Sequence, residues 1–67
     1  MKYVPHTFAI GDTIEGVIRL HNSHAMSARA AGVFMAFYNR QNGTTVPLLG
    51  QEVQIPVDVR IAKIEPG

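Results

Sequence analysis

With 67 residues, a net charge of +1 and no cysteine, the chain makes one small domain (1–67) that neither a disulfide nor a thiolate metal site can brace. Charged residues are only 16% of the total, and the six Lys and Arg residues are scattered, which argues against a phosphate-binding stripe. No apolar run reaches the roughly 18 residues of a membrane span, and Met1-Lys2-Tyr3-Val4-Pro5-His6 lacks the apolar stretch of a signal peptide, so no leader is expected and the compartment, virion or cytoplasm, stays open.

Taken in chain order, residues 1–10 read as an edge strand or an extended arm. Gly11-Asp12 is turn chemistry. Over residues 13–22, Ile14, Ile18 and Leu20 alternate with Thr13, Glu15, Arg19 and His21, the period of a half-buried strand, with Gly16 interrupting the apolar phase and Val17 the polar one. Residues 23–31 read in two ways. Asn22 or Ser23 as a cap, the alanines and Gly32 as a C-terminal residue support a short helix; a long loop between strands is the alternative.

Residues 33–38 are apolar in both phases, as in a central strand or one covered by a second layer. In that strand Val33 and Phe37 face the core. Asn42-Gly43 favours a hairpin into residues 44–49, and Gly50-Gln51 a further tight turn. The clearest alternation is over residues 53–61, where Val53, Ile55, Val57, Val59 and Ile61 share one phase. Pro56, on the other phase, cannot donate to a ladder, so that strand lies at an edge, with Ile64 falling out of phase near Lys63.

These elements predict an all-β fold, a five- or six-stranded antiparallel sandwich or barrel, with 23–31 as either its one short helix or a loop. Residues 8–22, with the Gly11-Asp12 turn, alternating apolar positions and closing Asn22, resemble the first core strand of bacterial immunoglobulin-like domains of the cell-adhesion-related kind. Residues 33–38, Asn42-Gly43 and Leu49-Gly50-Gln51-Glu52-Val53 follow in that family's order, so the resemblance covers residues 8–61 and implies a β-sandwich. Gly11-Asp12-Thr13-Ile14-Glu15-Gly16-Val17, Gly32-Val33-Phe34 and the segment from Val57 onward are also similar to pieces of the S1-type OB-fold, which implies a barrel that binds single-stranded nucleic acid.

Chemistry-bearing residues are sparse. His21, His24 and Met26 form H-x-x-H-x-M, a donor set that suits copper, with His6 and Met35 as further donors. No neighbouring carboxylate orients the rings, so these side chains are expected to be structural or solvent-facing, with no metal and no cofactor. The five carboxylates show no acid/base spacing and there is no phosphate loop, so no enzyme is expected. A chain this short buries only about 60% of its unfolded surface. The expectation is therefore a non-enzymatic module that forms a homo-oligomer or binds as a subunit of a larger assembly, such as a capsid or surface layer. Its contact is expected beside the Pro56 strand, with Phe34, Tyr38, Pro56 and Asp58 at the interface. The competing partner is nucleic acid, stacked on Phe34 and Tyr38 and held by Arg19, Arg29, Arg40 and Arg60.

Overall fold

The computed structural model describes residues 1–46 and 48–62. It is a small α+β domain, and the all-β expectation is wrong. In chain order it runs β1 (Lys2–Thr7), α1 (Ile14–His21), α2 (Ala28–Asn42), β2 (Glu52–Val57) and α3 (Val59–Ala62). β1 and β2 pair antiparallel as the single sheet among the described residues, and two strands supply neither a sandwich nor an OB barrel. Both family resemblances fall with that finding.

The segment read as the first core strand is α1. Thr13 is its N-cap, with Oγ1 accepting the Gly16 N–H at 3.0 Å, and Glu15 in the first turn and Arg19 and His21 in the last turn suit the helix dipole. Ile14, Val17 and Ile18 are buried, an i, i+3, i+4 stripe, while Leu20 faces out. Val17, the residue that spoiled the strand alternation, completes the helical stripe.

The helix expected over 23–31 begins later and runs further. Ser27 caps α2 by accepting the Ala30 N–H, and the helix passes through Gly32 and 33–38 before ending at Gly43. Gly43 takes φ 77° and donates its N–H to Asn39 O at 2.7 Å. Asn42-Gly43 thus supplies the positive φ of a helix C-cap instead of a hairpin. The strand phase is also reversed: Phe34 and Tyr38 are 0% exposed, whereas Val33 is 36% exposed and Phe37 only half-buried. Gly32 lies on the outer face of α2, where an added Cβ meets nothing within 4 Å. Gly32→Ala is therefore expected to raise stability by about 0.5–1 kcal/mol, measured as a shift in the urea midpoint.

The last strand is shorter than its alternation suggests. β2 stops at Val57, and Asp58 caps α3, its backbone carbonyl accepting from Ile61 and Ala62 and its Oδ1 from the Arg60 N–H. The loss of phase expected near Lys63 lies outside the described residues.

In the ladder Tyr3 faces Pro56, Pro5 faces Gln54 and Thr7 faces Glu52. Both prolines belong to this one parity class, whose amides point away from the partner strand, so neither removes a ladder bond. The ladder bonds fall on Lys2–Val57, Val4–Ile55 and His6–Val53, and Phe8 continues the series by donating to Gln51 O at 3.1 Å. Phe8, Val53 and Ile55 on one face of the sheet join Ile14, Val17, Ile18, Met26, Ala30, Ala31, Phe34, Tyr38 and Ala62 in one core. α1 and α2 both pack against β2, which is why two strands suffice.

Candidate interaction site

Two matching turns stand side by side at one end of the sheet. In residues 9–12 the Asp12 N–H donates to Ala9 O at 3.0 Å, and Gly11 takes φ 91° at the third position. In residues 48–51 the Gln51 N–H donates to Leu48 O at 3.0 Å, and Gly50 takes φ 78° at the third position. A positive φ there is the signature of a type II turn and favours glycine. The Gly50 N–H donates to Phe8 O at 2.9 Å, so the two turns are stitched together by backbone.

Each turn presents an aliphatic side chain at its second position: Ile10 is 90% exposed and Leu49 63% exposed, with Leu48 also exposed beside it. These are large apolar residues held outside the core on hydrogen-bonded turns, the kind of exposed apolar surface that marks contact sites. Sequence reading found both turns but passed over Ile10 and Leu49. The available signal was an aliphatic residue immediately before each turn glycine.

Behind the first turn lies a polar chain. Asp12 Oδ2 accepts from the Ala9 N–H at 2.9 Å and lies 3.2 Å from His6 Nε2. His6 Nδ1 lies 3.1 Å from His21 Nε2, with the rings edge to face. Asp12 is held below the usual carboxylate range by the Ala9 amide first and His6 next. His21 is pushed below the ordinary histidine value by burial and then by the charge of His6. These residues come from β1, α1 and the loop between them; the sequence offered His21 and His6 as metal donors, but nothing in it pairs them with Asp12.

The H-x-x-H-x-M residues do not converge. His21 turns toward His6, His24 is exposed, and Met26 is in the core. Arg19 fixes this segment by donating to the carbonyls of His24 and Met26 while pairing with Glu15 at 3.3 Å. Among the described residues no three His, Cys, Asp or Glu side chains group as metal ligands.

Of the four residues assigned to an interface, Phe34, Tyr38 and Pro56 are buried and Asp58 is half-buried. Phe34 and Tyr38 are core residues, and the Tyr38 hydroxyl, buried and without a hydrogen-bond partner among the described residues, has its pKa raised by desolvation. Pro56 is buried opposite Tyr3. Asp58 caps α3 and pairs with Arg60 at 3.1 Å, which with the same hydrogen bond depresses its pKa.

The edge beside Pro56 is filled from within the chain. Asn42, the last residue of α2, accepts the Gln54 N–H on Oδ1 and donates from Nδ2 to Gln54 O, both at 2.9 Å. Asn22, the C-cap of α1, donates to Pro56 O at 3.0 Å and accepts the Asp58 N–H at 3.1 Å. Two side-chain amides thus imitate the neighbouring strand that β2 lacks. Among the described residues the strand edge left open is that of β1, where Pro5 already withholds a donor.

A broad groove lined by Met1, Lys2, Val57, Asp58, Val59 and Arg60 brings together no acid/base pair, since its one carboxylate is committed to Arg60. No described helix is long and apolar enough to cross a membrane. Comparison with known proteins finds no matching family model, no similar curated protein and no similar solved structure.

Proposed function

We propose that the chain is a non-enzymatic interaction module that associates with further copies of itself through the paired turns. The observation that supports this reading is the rigid display of Ile10 and Leu49, outside the core, by two turns bonded to each other. A second copy suits the patch for physical reasons. Its apolar residues carry no charge that would select an oppositely charged partner, and a net charge of +1 sets little repulsion between copies. The same aliphatic surface can meet itself across a two-fold axis. Burial of it adds apolar area to a domain too small to bury much on its own.

Sedimentation equilibrium of the purified chain, alone and as Ile10→Asp and Leu49→Asp, tests the proposal. Removing one buried aliphatic contact of about 1.5–3 kcal/mol should weaken self-association at least tenfold. Both positions lie outside the core, so circular dichroism should be unchanged. A wild-type chain that stays monomeric at millimolar concentration, or variants that associate as tightly as wild type, would overturn it.

A further inference from the structure

The His6–His21 contact joins β1 to the last turn of α1, and the next residue, Asn22, is the one that seals β2 at Pro56 and Asp58. We propose that the two imidazoles form a proton-operated clasp: it fastens the C-terminal end of α1 to the sheet while the pair carries at most one added proton, and a second proton releases it.

The hydrogen-bond roles follow from Asp12. An ionised carboxylate only accepts, so His6 Nε2 carries the hydrogen that points at Asp12. Neutral His6 then accepts at Nδ1 from the Nε2–H of neutral His21. With one proton added to the pair, one facing nitrogen still carries a hydrogen and the other still accepts it. With a proton on each ring, the two facing nitrogens, 3.1 Å apart, both carry hydrogens and neither accepts. The like charges repel, and only His6 has an anion to hold it. His21 is the ring that leaves, and Asn22 is its chain neighbour.

Among the described residues, the surroundings offer His21 no substitute anion. On α1, Glu15 is paired with Arg19. β1 and its following loop supply His6 and Asp12, the latter already bound to Ala9 and His6. β2 places Val53 opposite His6 and carries its charges, Glu52 and Asp58, near its two ends, Asp58 being paired with Arg60. α2 turns Ala30, Ala31, Phe34 and Tyr38 toward the core, of which only Tyr38 titrates, at alkaline pH.

The sign follows from proton counting. The released state binds one more proton at His21 than the clasped state, whose His21 pKa is depressed. Clasping is therefore complete above about pH 6.5, the unperturbed histidine value. It weakens as pH falls from there toward the lowered native value, by up to about tenfold per pH unit. Asp12 stays ionised through this window because its own pKa is lowered from 3.8.

Amide hydrogen exchange, corrected for intrinsic rates, reads the clasp directly. The Asp58 amide, bonded to Asn22, should lose protection between pH 7 and pH 5 by up to about tenfold per unit. The Gln54 amide, bonded to Asn42 at the end of the other helix, should not follow it. His21→Gln keeps a side-chain hydrogen-bond donor without a titrating ring and should flatten the Asp58 profile, and His6→Gln should do the same should the first variant fold poorly. Constant Asp58 protection across that range, an equal fall at Gln54, or an undiminished pH response in the variants would each overturn the proposal. The readout is local and taken on dilute protein, so it is independent of whether the chain self-associates.

Discussion

Phe34→Ala is expected to cost about 3–5 kcal/mol, the usual penalty for truncating a fully buried aromatic. Phe34 is 0% exposed in the middle of α2, where the helix meets both α1 and the sheet. At about 0.05–0.15 kcal/mol per residue, a domain of this length holds only on the order of 3–10 kcal/mol in total. The variant should therefore be largely unfolded or close to its midpoint in water, which circular dichroism and urea titration will show. Phe37→Ala, at a half-buried site, should lose clearly less, and Val33→Ala, on the outer face, very little. Equal losses at Phe34 and Phe37 would mean that α2 packs with a different face inward.

Asn42→Ala comes next, at about 2 kcal/mol. The substitution removes both bonds to Gln54 and leaves a partly buried N–H and C=O without partners, which is costlier than the bonds are worth in exchange with water. Asn42→Asp separates the two contacts. A carboxylate oxygen still accepts the Gln54 N–H, but its second oxygen then faces Gln54 O with no hydrogen between them. Stability should fall in Asp as it does in Ala, while protection of the Gln54 amide is lost only in Ala. An Asn42→Asp protein as stable as wild type would show that the amide seal at this edge contributes little.

Local chemistry was legible along most of the chain. The turns at Gly11 and Gly50, the positive φ at Gly43 and the extended N-terminus all follow from residue type, whereas the cap of α2 is Ser27 and not Asn22 or Ser23. What residue type leaves ambiguous is the element each signal serves. Asn42-Gly43 suits a hairpin and a helix C-cap equally, since both need a left-handed residue. Residues 14–20 satisfy a strand alternation through Ile14, Ile18 and Leu20 and a helical stripe through Ile14, Val17 and Ile18, and over eight residues the two periods share positions. Asp12-Thr13 ahead of that stripe, with Glu15 at its start and Arg19 near its end, was the deciding signal in the sequence.

The site required the folded chain. Its two turns are separated by some forty residues and are brought together by the β1–β2 pairing and the bonds of Phe8 to Gly50 and Gln51. His6, Asp12 and His21 likewise meet only in the folded chain, through side chains that reach from β1, the following loop and α1. Composition and the absence of cysteine determined that the domain would be small and unbraced, and turn chemistry determined where the chain reverses. Packing decided the rest: β1 and β2, at opposite ends of the described chain, buried one apolar face only by drawing α1 and α2 across it. A two-stranded sheet cannot persist without such cover, and an eight-residue helix cannot persist without a surface to lie on, so each stabilises a conformation that neither segment selects alone.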